Sequence, residues 1–261
     1  GHVAGADRVV NLIKTLQHLR IDDDNADDAD AHDESTTRQS NIDIAEDNQS
    51  KKRKKQSRIE YCTLFAFSTE NWSRSQLEIT ALFKLITQTA LQYTKHSSIL
   101  NGTIQISLVG NIYDDRIPKD MRSALLDLVK ISTDACDERR RRRQLLEEED
   151  DILTICLAIN YGGRADILQA ATMLAQSIAS GEVTLTTDSN NNDDTLQQQL
   201  DNESLISSRL STSTIPDPDL IIRTGGEQRL SNFLLWNLAY TELYFSEVLW
   251  PDFDNDEYLK W

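Results

Sequence analysis

Hydrophobic positions along the chain recur with two periods, one helical and one extended. A spacing of three to four residues predicts helices, and short apolar runs rich in β-branched and aromatic residues predict strands. The helical pattern covers 3–20, 76–95, 119–133, 164–179 and 230–240. The strand pattern covers 59–67, 103–109, 152–159, 219–222 and 242–245. Because strands and helices alternate, we expect a single α/β domain with a mainly parallel central sheet flanked by helices.

Three polar segments interrupt this pattern, and we predict that they are disordered or loosely helical insertions in the domain. They are residues 22–58, 134–151 and 183–213, and they hold −11 of the formal net charge of −16. Low hydrophobicity and blocks of like charge cannot offset the entropy of ordering a chain. The basic run at 51–55 allows two interpretations, a localisation or anionic-surface tract and a solvated linker, and the linker is favoured.

Composition and motif content exclude several classes of function. An acidic chain lacks the basic footprint of a nucleic-acid binder, so no nucleic-acid partner is expected. No stretch approaches the ~18 apolar residues of a membrane span. Three scattered cysteines argue against a disulfide framework, and Cys62 and Cys156 lie in apolar runs where we expect them to pack. The histidines lack zinc-site spacing, and neither a P-loop nor a GxGxxG motif is present.

Polar residues follow four of the predicted strands, at 68–74, 110–111, 160–164 and 223–229. Open α/β sheets bind ligands beyond the carboxyl ends of their strands, so these segments are expected to form one crevice. Gly-Gly followed by a helix would present free N–H groups to an anion. Arginine guanidinium groups match phosphate oxygens, and the crevice would contain Arg74, Arg164, Arg223 and Arg229. The residues therefore predict a diphosphate or multi-phosphate site without a Walker motif.

Each of these features also has a purely structural interpretation. The Gly-Gly pairs could be simple tight turns, and Arg164 could pair with a nearby acid. Asn71 could cap the helix at 76–95, and Trp72 could be a packing residue without a role in binding. His2 alone would be a solvated terminal residue. The functional interpretation is favoured because four independent turns rarely share this chemistry.

Several longer motifs lie at the predicted strands and their exits: FSTENWSR at 67–74, NYGGR at 160–164, DLIIRTGGE at 219–227, LSNFLLW at 230–236, ELYF at 242–245, LWPDF at 249–253 and the opening GHVAG at 1–5. These motifs resemble those of the cis-prenyltransferases, the family of undecaprenyl diphosphate synthase and dehydrodolichyl diphosphate synthase. They cover essentially all of the chain outside the three insertions, and motifs this long in this order are highly specific.

The resemblance implies condensation of isopentenyl diphosphate onto an allylic diphosphate, with new double bonds in the cis configuration and Mg²⁺ as cofactor. The positions implied for isopentenyl diphosphate are Arg223, Arg229, Leu230 and Ser231, and Glu242 would be a Mg²⁺ ligand. The positions implied for the allylic substrate are His2, Ser68, Thr69, Glu70, Trp72 and Arg74. Asn71 matches the position proposed as proton acceptor. A neutral amide is a poor base, so we interpret Asn71 as an orienting group that relays a proton to diphosphate or water.

The sequence also departs from the family pattern. The family's first strand ends in an Asp-Gly-Asn motif, with the principal metal ligand, upstream of the Gly-His-x-Ala-Gly motif that opens this chain. We therefore expect the 261-residue chain to be truncated and nearly inactive, and the full-length product to be active. Gln228 stands where bacterial members often have a histidine near the metal. The chain also stops before a terminal segment that contributes to the dimer partner's site in many members.

Two other functions compete with the catalytic one, a non-catalytic partner subunit of a heteromeric cis-prenyltransferase and an unrelated phosphate-binding module. Retention of Asn71, Arg74, Arg223 and Glu242 favours the catalytic function. The resemblance further implies a farnesyl diphosphate primer, a dolichol- or undecaprenol-type product, and a homodimer or a heterodimer with a related subunit. We expect a cytoplasmic protein with peripheral membrane contact. The composition of the insertions suggests the cytosolic face of the endoplasmic reticulum.

Overall fold

The computed structural model describes residues 20–22, 56–147, 151–183 and 203–253. Its strands are β1 (Arg20–Asp22), β2 (Gln56–Arg58), β3 (Tyr61–Ser68), β4 (Ile104–Val109), β5 (Leu153–Tyr161), β6 (Leu220–Arg223) and β7 (Glu242–Phe245). Its α-helices are α1 (Gln76–Tyr93), α2 (Ser97–Leu100), α3 (Lys119–Leu145) and α4 (Gly163–Ala179), with a further helical segment at 203–207. Short 3₁₀ segments occupy Thr69–Ser73 and Trp250–Asp252.

The main sheet has three parallel strands in the order β3-β5-β4. The middle strand, β5, is buried along nearly its whole length, which confirms the prediction from its continuous apolar run. On one face, α1 packs against α3, and α3 packs against β4. A large apolar cluster fills this interface and includes Phe67, Phe83, Met121 and Leu125. The predicted parallel sheet flanked by helices is therefore confirmed.

The opposite face of β5 carries a second apolar cluster, which connects the main sheet to the C-terminal part of the chain. Cys156, Ala158 and Tyr161 pack there against Phe233 and Leu234. The Phe65 and Phe233 rings stack with centroids 4.4 Å apart. The adjacent strands β6 and β7 form a separate parallel pair. Through this cluster, the 230–235 segment lies over the carboxyl end of the main sheet.

The antiparallel pair of β1 and β2 was not predicted from the sequence. Arg20 is paired with Arg58, and Asp22 with Gln56. The predicted helix at 3–20 lies outside the described residues except for Arg20, which is in β1. Most of the 22–58 insertion, residues 23–55, also lies outside them.

Helix α3 is longer than predicted and ends at Leu145 instead of 133, well inside the 134–151 segment. Ion pairs between Arg140 and Asp137 and between Arg142 and Glu138 lie along its surface. Such pairs support a helix that has little apolar surface. Part of the third segment is also structured, because Leu210 is 4 % exposed and Thr212 is 1 % exposed. Residues 184–202 of that segment are outside the described part.

The predicted helix at 230–240 is wrong, because the structure has a series of turns there. Ser231, Asn232 and Leu234 have positive φ angles of 49°, 62° and 45°. Left-handed residues cannot continue a right-handed helix. The backbone bonds run instead to the third preceding residue, as from the Asn237 N–H to the Leu234 carbonyl at 2.9 Å. Phe233 and Leu234 of this segment instead pack in the second apolar cluster, against β5.

Within the described residues, no helix combines the length and the apolar character that a membrane crossing requires.

Candidate functional site

The carboxyl ends of β3, β4 and β5 meet at one edge of the main sheet, as predicted. Ser68 is paired with Tyr161, and Val109 with Ala158. Beyond the strands, the Asn111 N–H donates to the Asn160 carbonyl at 3.3 Å. The exit of β6 reaches this edge through the 227–235 loop. The four predicted polar segments therefore converge on one crevice.

The Thr69–Ser73 segment is fixed by a capping box between Ser68 and Asn71. The Ser68 N–H donates to Asn71 Oδ1 at 2.9 Å, and the Arg74 N–H donates to the Asn71 carbonyl at 3.0 Å. Asn71 therefore caps its own 3₁₀ segment. It does not cap α1, whose capping box is formed by Ser75 and Glu78. The bond from the Ser68 N–H uses only the side-chain oxygen of Asn71 and does not involve its side-chain NH₂ group.

Trp72 is held on several sides. Its indole N–H donates to Asn160 Oδ1 at 2.7 Å, and its ring meets Phe67 edge-on at 5.0 Å. The Arg116 guanidinium lies 4.2 Å from the centre of the ring. Two bonds of 2.8 and 2.7 Å join Arg116 to Asp114, and hydrogen bonding from Arg116 lowers the pKa of that carboxyl strongly. The predicted substrate residue Trp72 is therefore placed by Asn160, which was predicted only as part of the 160–164 segment, and by Arg116, which was not predicted.

The residues predicted for isopentenyl diphosphate lie together at the end of β6. Arg223, the last residue of β6, donates to Ser231 Oγ at 2.6 Å and to the Arg229 carbonyl. Arg229 forms an ion pair with Glu227, and Leu230 lies between Arg229 and Ser231 in the chain. Two guanidinium groups and a hydroxyl in one turn are suited to the oxygens of a diphosphate.

The predicted role of the Gly-Gly backbone amides is wrong, because these N–H groups already have partners. At the start of α4, the Gly163 N–H donates to the Asn232 carbonyl at 2.7 Å, and the Arg164 N–H donates to Asn232 Oδ1 at 2.9 Å. The Gly225 and Gly226 N–H groups donate to the carbonyls of Val248 and Ser246, both at 2.8 Å. The partners come from distant segments, so no local pattern revealed them. The arginine side chains are therefore the remaining candidate anion-binding groups.

Asn232 also joins the two predicted substrate sides. Its Nδ2 donates to Glu70 Oε1 at 2.7 Å across 162 residues of sequence. Partial burial raises the pKa of Glu70, but hydrogen bonds from Asn232 and from the Ser68 and Thr69 hydroxyls outweigh it, so the pKa of Glu70 lies below its ordinary value. Glu70 is therefore ionised at neutral pH. The only sequence signal for Asn232 was its place inside the LSNFLLW motif.

The buried carboxyl group of Asp166 is connected to the exit of β4 through Ser211. Asp166 is 7 % exposed, and its Oδ1 accepts from the Ser211 N–H at 2.8 Å. Ser211 Oγ in turn accepts from the Gly110 N–H at 3.2 Å. Burial raises the pKa of Asp166 above its ordinary value.

The three cysteines form no disulfide with one another. Cys62 and Cys156 pack in the two apolar clusters. Burial raises the pKa of the Cys62 thiol to about 12 and that of Cys156 to about 11. Thiols held in the protonated form are poor nucleophiles and poor metal ligands, and the predicted packing role of Cys62 and Cys156 is confirmed.

The predicted metal ligand Glu242 is not brought to the crevice of this chain. It begins β7 opposite Leu220, whereas Arg223 lies opposite Phe245 at the other end of the strand pair. The Leu220–Glu242 pair and the Arg223–Phe245 pair are three residues apart along the strands, which corresponds to roughly 10 Å. Within residues 56–147, 151–183 and 203–253, no three His, Cys, Asp or Glu side chains are grouped so that they could hold a metal ion. His2 lies outside the described part of the chain.

The fold defines an α/β protein whose sheet carries an arginine-rich cluster near its carboxyl edge. The Prenyltransf family model, that of undecaprenyl diphosphate synthase, matches residues 31–261. The chain therefore belongs to this family of prenyl transferases, as the motif resemblance predicted.

Individual relatives agree with this assignment. The chain is 43 % identical over 202 residues to an isoprenyl transferase of Aquifex pyrophilus, covering 77 % of this chain and 71 % of the relative. It is 39 % identical over 192 residues to a protein of Xanthomonas axonopodis pv. citri that is named ditrans,polycis-undecaprenyl-diphosphate synthase ((2E,6E)-farnesyl-diphosphate specific). This match covers 74 % of this chain and 62 % of the relative.

Solved structures are similar as well. Lavandulyl diphosphate synthase from Lavandula x intermedia, in complex with dimethylallyl diphosphate, has a TM-score of 0.58 at 27 % identity, over 77 % of this chain and 74 % of that one. An undecaprenyl diphosphate synthase structure from Campylobacter jejuni has a TM-score of 0.61 at 22 % identity, over 100 % and 87 %, which supports the fold alone.

Proposed function

We propose that the protein is a cis-prenyltransferase that condenses isopentenyl diphosphate with an allylic diphosphate to make a long polyprenyl diphosphate. The observation that carries this proposal is the position of the two predicted substrate sides. The Arg223, Arg229 and Ser231 cluster lies across the Asn232–Glu70 bond from the Thr69–Ser73 segment. Two diphosphates bound on these sides would have their carbon chains within one crevice.

In the proposed reaction, the carbon–oxygen bond of the allylic diphosphate breaks and diphosphate leaves. The double bond of isopentenyl diphosphate attacks the electron-poor carbon, and a proton passes from the new chain to the departed diphosphate or to water. Guanidinium groups stabilise the negative charge on the diphosphate groups. Asn71 is assigned an orienting role, because its Oδ1 is engaged by the Ser68 N–H. Ser68, Thr69, Glu70, Trp72, Arg74 and His2 remain the residues proposed for the allylic side.

Mg²⁺ stays a prediction from the family resemblance, with Glu242 as its proposed ligand. The described residues bring no group of carboxylates to Glu242, so no step of the reaction is assigned to a metal. In such enzymes, a divalent cation would neutralise the charge of the leaving diphosphate.

The finer features of the activity are also proposals. Farnesyl diphosphate is the proposed primer, which agrees with the name of the Xanthomonas relative. A dolichol-type product, a homodimer or related heterodimer, and a position at the cytosolic face of the endoplasmic reticulum are the expectations from sequence. The competing role, a non-catalytic partner subunit, predicts binding of a related subunit without turnover.

The proposal is tested with the complete gene product, radiolabelled isopentenyl diphosphate, farnesyl diphosphate and Mg²⁺. We expect label to enter a ladder of butanol-extractable polyprenyl diphosphates whose added double bonds are cis by NMR. A purified, folded protein that incorporates no label, alone or with a related subunit, would exclude the catalytic role. Incorporation only with an active related subunit would favour the partner role.

A further inference from the structure

We infer that Asn232 is a positioning residue that holds the allylic and isopentenyl sides of the crevice in one fixed arrangement. This inference rests on the proposed function and adds a specific role for a residue that does not itself contact the reacting atoms.

The bonds of Asn232 reach two separate parts of the fold. Its Nδ2 donates to Glu70 in the Thr69–Ser73 segment at 2.7 Å. Its Oδ1 accepts from the Arg164 N–H at 2.9 Å, and its backbone carbonyl accepts from the Gly163 N–H at 2.7 Å. One side chain thus binds the segment that carries Asn71 and also the start of α4.

The local backbone fits this arrangement to asparagine. Asn232 has a φ of 62°, a left-handed conformation that asparagine tolerates better than most residues. Gly162 leaves the space for it, since a Cβ at Gly162 would lie 2.8 Å from Asn232 Nδ2 and 2.4 Å from Thr69 Oγ1. The side chain is therefore seated in a notch beside Gly162, and an added Cβ there would displace it or Thr69.

The chain connects this notch directly to the arginine cluster. Ser231, the preceding residue, accepts from Arg223 at 2.6 Å. Movement of Asn232 would therefore carry Ser231 with it and displace the Arg223 guanidinium. Misplacement by about 1 Å can lower the rate of an oriented reaction 100-fold.

The substitution Asn232→Asp separates this role from a purely structural one. An aspartate keeps the acceptor for the Arg164 N–H, so the start of α4 stays capped. It loses the donor to Glu70 and places a second carboxylate against an ionised one. If Asn232 only caps the start of α4, the Asn232→Asp variant is expected to have normal activity. Positioning predicts that kcat/KM for both substrates falls 10- to 100-fold in a variant that is still folded at the assay temperature.

The experiment uses the complete gene product and measures steady-state kinetics for both substrates together with thermal unfolding. Asn101→Asp is the matched control, because Asn101 Oδ1 also caps a local turn, at the Thr103 N–H, at the opposite end of β4. We expect it to leave kcat/KM unchanged. Glu70→Gln is measured alone and in combination with Asn232→Asp, because the pair restores a donor and an acceptor in reversed order. We expect a recovery in the double variant, with a kcat/KM above the value that the product of the two single-variant effects gives.

Three results are decisive. If Asn232→Asp keeps the parent kcat/KM, the inference is wrong while the proposed function stands. If Asn232→Asp unfolds or is inactive and Glu70→Gln gives no recovery, the inference is also wrong, because the Glu70 contact is then not the cause. A folded parent protein that incorporates no isopentenyl unit contradicts the proposed function itself.

Discussion

The indole N–H of Trp72 donates to Asn160 Oδ1 at 2.7 Å, which joins two strand exits that lie 88 residues apart in sequence. Asn160 is 5 % exposed and has a φ of 50°. Its Nδ2 donates to the Asn111 carbonyl at 2.9 Å. The exits of β3, β4 and β5 are therefore connected through one buried amide.

Replacing Trp72 by phenylalanine tests this connection while keeping an aromatic ring against Phe67. The substitution removes the donor and leaves the buried Asn160 oxygen unpaired, so we expect a loss of about 1–3 kcal/mol in the free energy of unfolding. We also expect a higher KM for the allylic diphosphate and an unchanged KM for isopentenyl diphosphate. Urea unfolding and steady-state kinetics measure both, and an unchanged stability would contradict the role of this bond.

Arg223 is predicted to bind isopentenyl diphosphate through its guanidinium. We expect Arg223→Ala to raise the KM for isopentenyl diphosphate roughly 10- to 150-fold, the range for hydrogen bonds to charged groups. Arg223→Lys keeps the charge but loses the planar guanidinium. We expect its KM for isopentenyl diphosphate to lie between those of the parent protein and Arg223→Ala. Arg141→Ala is the control, because Arg141 is 70 % exposed on α3. Equal effects of Arg141→Ala and Arg223→Ala would exclude a specific site.

Gly110 turns the chain at the exit of β4, and its replacement is expected to be costly. It has a φ of 99°, and a Cβ there would lie 2.4 Å from the Ile159 carbonyl oxygen. Gly181 has a φ of 77° but open space around it. We expect Gly181→Ala to cost about 1–2 kcal/mol from backbone strain and Gly110→Ala roughly 2–5 kcal/mol from strain plus overlap. Similar values for the two variants in chemical denaturation would show that the overlap is relieved at no cost.

Asp166 gives the protein a defined pH dependence. Its pKa is raised by burial, so between its ordinary value near 4 and its folded value the native state binds more protons than the unfolded state. Stability from this group is therefore fully present below the ordinary pKa and is lost as the pH rises through the folded pKa. We expect the wild type to lose stability relative to Asp166→Asn as the pH rises above the ordinary pKa near 4. A constant difference across urea titrations from acid to neutral pH would contradict the raised pKa.

The strands and their exits could be predicted because both signals are local. A continuous apolar run identified β5, and the polar residues that follow β3, β5 and β6 identified the crevice. Helix α3 was predicted too short, because its last turns are supported by ion pairs such as that of Arg142 with Glu138 and not by apolar spacing.

The remaining differences arise from contacts between distant segments. The apolar spacing of 230–240 resembles a helix, but Ser231 and Asn232 adopt left-handed conformations to reach Arg223 and the start of α4. The same contacts occupy the amides of Gly163 and Arg164, which the sequence predicted to be free. Glu242 was predicted from its motif, and only the register of β6 and β7 places it away from Arg223.

The most direct measurement compares isopentenyl incorporation by the complete gene product with that of its Arg223→Ala and Arg141→Ala variants. Each is assayed with farnesyl diphosphate and Mg²⁺ at limiting isopentenyl diphosphate, and the extracted products are separated by chain length. We predict long cis-polyprenyl diphosphates from the parent and from Arg141→Ala, with at least tenfold less from Arg223→Ala. Incorporation that is the same in all three proteins, or absent from a folded parent, would contradict a prenyl-transfer site at this edge of the sheet.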